Sequence, residues 1–164
     1  MNVFAFDIET VPDVAGGRRL HGLDGLDDHD ATEALLAMRR EETGSAFLRL
    51  PLHRVVVISV AACIGDRFTV FSLGDGGDDE AELIERFFDG IERYIPTLVS
   101  WNGSGFDLPV LHYRALIHGL SAPRYWENGD QDRSFRFNNY QNRFHDRHTD
   151  LMDVLAGYSG RAVA

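Results

Sequence analysis

Val3-Phe4-Ala5-Phe6-Asp7-Ile8-Glu9-Thr10 is almost wholly apolar, yet it carries two acids near its end. Side chains two apart on a strand point the same way. Asp7 and Glu9 therefore share one face, with Val3 and Ala5 behind them, and Phe4, Phe6 and Ile8 share the other. Apolar residues on both faces predict a central, doubly buried strand. Carboxylates at the end of such a strand are costly unless a cation compensates them. A divalent metal ion does so most simply; a strand emerging into solvent with two hydrated acids fits the same octet.

The chain has 164 residues, 44% of them hydrophobic and 26% charged, which suits one soluble domain with a real core. Its 26 Asp and Glu against 16 Lys and Arg give a formal charge of −10. Such a domain is a poor sequence-independent binder of nucleic acid, so a nucleic-acid role has to rest on a local patch or on metal ions. Cys63 is the lone cysteine, which excludes an internal disulfide and points to a reducing compartment. No basic leader and no membrane-length apolar run is evident, and the expected location is the cytoplasm, with no membrane partner.

Outward from the octet, Pro12 and Gly16-Gly17 are expected to stop the strand. The long connection from Val11 to Arg54 holds one predicted helix, Ala31 to Glu42, capped by Asp30 with Glu33 and ended by Gly44. Asp24, Asp27, Asp28 and Asp30 lack the spacing of a calcium loop and read as solvated. Val55 to Ala62 and Arg67 to Leu73 predict a hairpin, followed by a loop at Gly74 to Gly77. Asp79 opens a helix to Tyr94 whose Ile84, Phe87, Phe88 and Ile91 form a core stripe. Thr97 to Trp101 is a short fourth strand, and Leu108 to Gly119 another helix, with Asp107 at its start. From Ser121 to Arg147, Trp126, Phe135, Phe137 and Tyr140 lie among Arg124, Arg133, Arg136 and Arg143. Interleaving of that kind suits single-stranded nucleic acid, or equally a loop pinned to the core by its aromatics. His148 to Leu155 reads as a strand or turn entering a helix, broken at Gly157 and Gly160.

An antiparallel meander of three strands with the fourth beside the first brings Asp7, Glu9 and the Asn102–Asp107 loop to one sheet edge, where open α/β sheets collect ligands. Three acids there suit one hard divalent cation, or two about 3.5–4 Å apart, the arrangement that cleaves phosphodiesters.

Phe6-Asp7-Ile8-Glu9-Thr10 resembles the first motif of the 3′–5′ exonucleases with ribonuclease H-like folds, and Trp101-Asn102-Gly103-Ser104-Gly105-Phe106-Asp107-Leu108-Pro109 resembles their second. The Asn-Gly-x-x-Phe-Asp form is similar to the exonuclease domain of family B DNA polymerases, and most similar to predicted stand-alone bacterial exonucleases related to it. The resemblance runs from Val3 to about Leu155. It implies an α/β, ribonuclease H-like three-layer fold: a central mixed sheet, its first three strands antiparallel, with helices on both faces. It implies that Asp7, Glu9 and Asp107 are catalytic metal ligands, that Thr10, Asn102 and Phe106 lie at the terminal nucleotide, and that the cofactor is Mg²⁺ or Mn²⁺, two ions in the complete site. The implied activity is hydrolysis at the 3′ end of single-stranded DNA or of DNA generally, RNA being also admissible.

The family's fourth acid lies in a Tyr-x-x-x-Asp motif on a later helix, and no Tyr here has an Asp four residues on. Residues 1–164 are therefore expected to be one exonuclease-like domain without that C-terminal helix, part of a longer protein. A related branch uses His-x-x-x-x-Asp, a spacing matched by His145 with Asp150 and by His148 with Asp153. The alternative class is a non-catalytic binding or accessory module that keeps the fold without the full acid set. An aspartyl-phosphate phosphatase is disfavoured, because Glu9 stands where such an enzyme wants a second Asp.

Overall fold

The computed structural model describes residues 1–74 and 79–159. The expected loop at 74–77 lies mostly outside them, as does the break at Gly160. β1 spans Asn2–Pro12 and pairs antiparallel with β2 (His53–Ile64), which turns into antiparallel β3 (Arg67–Leu73). β4 (Thr97–Ser100) lies parallel to β1, and β5 (His148–Asp150) parallel to β4. The order is β3-β2-β1-β4-β5. This is the expected α/β architecture, a mixed sheet with its first three strands antiparallel and β1 at its centre.

Phe4, Phe6 and Ile8 are buried on one face of β1, whereas Val3 and Ala5 are half-buried and Asp7 and Glu9 exposed. The strand is central but not buried on both faces. The reason is where the helices lie. α3 (Glu80–Tyr94) and α4 (Asp107–His118) pack on each other and on β2. They close a core that includes Phe4, Phe6, Ile58, Ile84, Phe87 and Leu111. On the opposite face Ala61 and Cys63 are half-buried, and Phe68 and Val70 of β3 are 73% and 66% exposed. Among the described residues, α3 and α4 thus lie on the face of Phe4, Phe6 and Ile58, and the outer part of the other face stays open.

The segment between β1 and β2 holds two helices where one was expected. α1 (Val14–His21) runs straight through Gly16 and Gly17 and is capped by Asp13. The glycines are there for close approach: a Cβ on Gly17 would run into Leu35 of α2 (Asp28–Thr43). α2 starts earlier than predicted because Asp27, not Asp30, accepts the capping bond, from the Asp30 N–H at 2.8 Å.

A buried ion network seats this segment. Arg114 of α4 reaches Asp13 at 2.6 Å and Glu80 of α3 at 2.5 Å, and donates to the Pro51 carbonyl at 3.0 Å. Glu80 also accepts from the Val55 N–H at 2.7 Å and lies 2.8 Å from His118. Burial alone would raise the Asp13 carboxyl; the Gly16 N–H and the Arg114 guanidinium outweigh it and hold it below the ordinary range. No helix of the described residues is long and apolar enough to cross a membrane.

Candidate active site

β1 outruns β4, whose parallel pairing covers only Val3–Ala5. Past that point the Ile8 N–H donates to Asp107 Oδ1, 3.2 Å away. Asp107 can reach it because β4 ends at Ser100 and the chain returns as α4, with Asp107 in the first turn. Asp107 is buried, and its carboxyl is pushed up to about 6, first by loss of water and then by repulsion from the Asp7 carboxylate beside it. The structure thus brings Asp7 and Asp107 together. Glu9 follows on the same face of β1, exposed, next to an irregularity in the β1–β2 register between Glu9 and Thr10. Bulges of that kind re-aim side chains at sites.

The loop between β4 and α4 is held from β5. Asp150 accepts from the Asn102 N–H at 2.9 Å and the Ser104 N–H at 3.0 Å, and caps α5 (Leu151–Leu155) through the Met152 N–H at 3.1 Å. Burial would raise this carboxyl, but those bonds hold it low. Asn102 adopts the left-handed conformation, φ 56°, and its carbonyl accepts from the N–H groups of Gly105 and Phe106. Ser100 Oγ lies 2.8 Å from His148 Nε2 beneath the loop, where a Cβ on Gly103 would collide with Ser100.

Thr10 Oγ1 lies 3.0 Å from His53 Nδ1. His53 stands edge-on to Phe106 with centroids 5.1 Å apart, and Phe47 lies against both rings, 4.9 Å from His53 and 5.6 Å from Phe106. Thr10 and Phe106, two predicted substrate residues, are therefore joined through a ring cluster that the sequence reading did not foresee. Phe47 arrives from beyond α2, and nothing in its spacing marks it; its exposure of 54% does. The two histidines of the rival motif are otherwise engaged. His148 is buried on Ser100, and His145 Nδ1 accepts from the Asn139 N–H at 3.0 Å. The Arg-aromatic segment is split: Phe135 and Tyr140 are buried, while Trp126 and Phe137 are exposed.

The chemistry of the donor set fits a cation. Asp107 is buried against another carboxylate, and among the described residues neither Asp7 nor Asp107 forms an ion pair. No three His, Cys, Asp or Glu side chains among the described residues are gathered as a metal cage.

Residues 45–164 match a family described as predicted 3′-5′ exonuclease related to the exonuclease domain of PolB. DNA polymerase 1 of Sulfurisphaera ohwakuensis is 33% identical over 91 residues, 56% of this chain and 8% of that protein. DNA polymerase 1 of Sulfolobus acidocaldarius is 30% identical over 91 residues, again 56% of this chain and 8% of that protein. The chain thus spans a small part of the curated relatives it matches. A solved family B DNA polymerase from the hyperthermophilic archaeon Pyrobaculum calidifontis superposes with a TM-score of 0.48 and 20% identity, over 96% of this chain and 16% of that one. The family match leaves out β1 but takes in β2 to β5 and the whole Asn102–Asp107 loop. On that match, the chain belongs to the family of predicted 3′-5′ exonucleases related to the exonuclease domain of PolB.

Proposed function

We propose that the chain is a metal-dependent 3′–5′ exonuclease domain that removes nucleotides from the 3′ end of DNA, single strands first, RNA being a second substrate to test. The observation that carries this reading is the Asp107–Ile8 bond, which seats a buried carboxylate beside Asp7 at the open end of β1. Asp7 and Asp107, joined by Glu9, would hold Mg²⁺ or Mn²⁺, two ions when the acid set is complete. Such ions supply an activated water and stabilise the leaving 3′ oxygen. In the reaction water adds to the terminal phosphorus, the bond from phosphorus to the 3′ oxygen breaks, and a 5′-mononucleotide leaves.

Asp107 keeps its position because Asp150 fixes the loop before it. Phe106 and Thr10, joined through His53, and Asn102, whose carbonyl accepts from the Phe106 N–H, would contact the terminal nucleotide. The lone Cys63 supports a reducing compartment, the cytoplasm. Incubating the chain with a 5′-labelled single strand and Mn²⁺ tests the reading. A ladder shortening from the 3′ end, abolished by Asp7→Asn, is expected; a ladder that Asp7→Asn leaves intact refutes it.

The second reading, a binding module without catalysis, is favoured by one observation: no three-residue metal cage is gathered among the described residues. It predicts strand binding with no hydrolysis in either metal.

A further inference from the structure

A cavity of about 250 Å³ begins in the loop that carries Asn102 and Asp107. Ser104 lines it from within that loop, and Leu108 and Pro109 from the first turn of α4. Its aromatic wall is Tyr125 and Trp126, packed edge-to-face with centroids 5.1 Å apart. Tyr125 is buried, whereas Trp126 is 53% exposed. Gln141 and Arg143 complete the mouth, and the Gln141 side-chain amide donates to the Tyr125 carbonyl, tying mouth to wall. Behind Trp126, at 4.7 Å between centroids, lies His112, which also lines the cavity. Its Nε2 is buried without a hydrogen-bond partner among the described residues. Burial pushes this imidazole down to about 4, so it is neutral near pH 7 and offers Nε2 as one donor or one acceptor, according to tautomer. An orphaned buried polar atom calls for an explanation.

The cavity opens into a shallow groove that shares Trp126, Gln141 and Arg143 and continues past Asn139, Asn142 and Phe144. Phe144 is 69% exposed. An apolar slot with a half-free indole and a few hydrogen-bonding groups has the features that hold a base by stacking, and the Arg143 guanidinium at its mouth, ion-paired with Asp153 at 2.7 Å, is within the same rim. The amides and exposed ring along the groove extend those features away from the acids.

We infer that this cavity is a second subsite of the domain, which stacks a base of a single-stranded nucleic acid against Trp126 while the strand's 3′ end lies at Asp7 and Asp107. Its place relative to the 3′ end rests on the exonuclease reading; its capacity to hold a base does not.

The test is binding of a 5′-fluorescein oligothymidylate of about ten nucleotides to the whole chain at low salt in EDTA, followed by polarisation. EDTA removes any dependence on the carboxylate site. Stacking of one base is worth about 1–3 kcal/mol, so Trp126→Ala is expected to weaken binding about 5- to 150-fold. Trp126→Phe, which keeps a ring, is expected to recover part of that loss and guards against misfolding of the alanine variant, as does circular dichroism. His112→Phe, which removes the orphan nitrogen, is expected to weaken binding by a smaller factor. Unchanged affinity in folded Trp126→Ala, or no binding by the wild-type chain, overturns the subsite. Binding of thymidine monophosphate with exclusion of the oligonucleotide overturns the strand assignment. Hydrolysis of a dinucleotide in Mn²⁺ is expected to be lost in Asp7→Asn. Trp126-dependent binding without any such hydrolysis would keep the subsite and remove the exonuclease reading.

Discussion

Asp107 Oδ1 accepts the Ile8 N–H at 3.2 Å, across the end of the sheet where β1 has lost its β4 neighbour. A side chain there substitutes for a strand, and in doing so it brings a buried carboxylate to the face that Asp7 occupies. Structure and charge conflict at this point. The bond needs an acceptor, while burial and Asp7 disfavour the ionised form.

The conflict has a pH signature in the metal-free protein. Asp107 has its carboxyl raised from 3.8 to about 6, so between those values the folded state binds more protons than the unfolded one. Stability from this group is full below the lower value and falls as pH rises through the upper one. Asp107→Asn removes the titration and the repulsion with Asp7. Its metal-free melting temperature is expected to exceed that of the wild type above pH 6, and Asp7→Ala is expected to act in the same direction. Thermal melts in EDTA from pH 4 to pH 8 check both. A lower melting temperature for Asp107→Asn throughout would show that the carboxylate is held for stability alone.

Asp150 is expected to govern the loop without touching substrate. Asp150→Ala leaves the Asn102, Ser104 and Met152 N–H groups without their acceptor, at about 1–3 kcal/mol for each one left unsatisfied. Because its carboxyl is held low, its contribution is present above the ordinary carboxylate range and fades as pH falls through it. Urea titrations of Asp150→Ala and wild type are expected to differ near pH 7 and to converge in acid. Asp150→Asn, which keeps one acceptor, is expected to fall between them.

Arg114→Met tests the buried network. It leaves Glu80 and Asp13 buried without their guanidinium partner, with only the Val55 N–H and His118 on Glu80 and the Gly16 N–H on Asp13, and breaking such a pair costs about 3–5 kcal/mol. Chemical denaturation is expected to show a loss of that size. A triple variant with Glu80 and Asp13 also made neutral is expected to recover most of it. A loss in Arg114→Met below about 1 kcal/mol would mean that the 11–54 segment is held by Leu35, Leu48 and Leu52 rather than by charge.

Phe47→Ala is expected to leave the fold intact, since the ring is 54% exposed, and to raise KM for a single strand more than it lowers kcat. Phe47 lies against Phe106 and His53, so the loss would be one of stacking, about 1–3 kcal/mol. Steady-state kinetics on an oligonucleotide separates the two constants. A fall in kcat alone would instead place Phe47 in the support of Asp107.

The sheet was legible in the sequence because its strands are written as apolar runs with clear punctuation, and Asp7 with Asp107 because strand spacing and a helix start fix where each points. α1 was not legible. Gly16-Gly17 reads as a break, and only contact with Leu35, far along the chain, turns it into a close-packed helix face. The half-open face of β1 was missed for a similar reason: Val3 and Ala5 are apolar, and what covers them is a tertiary fact. Phe47, His53 and Arg114 carry no local signal, since their roles come from partners on other elements.

The central claim is that Asp7, Glu9 and Asp107 together form a metal site. Mn²⁺ titration followed by electron paramagnetic resonance tests it most directly. One bound ion is expected for the wild-type chain, with affinity falling as pH drops through the Asp107 value of about 6. That ion is expected to be lost in Asp7→Asn and in Asp107→Asn, and held more weakly in Glu9→Gln. Unaltered Mn²⁺ binding in all three variants, or none in the wild type, would contradict the account.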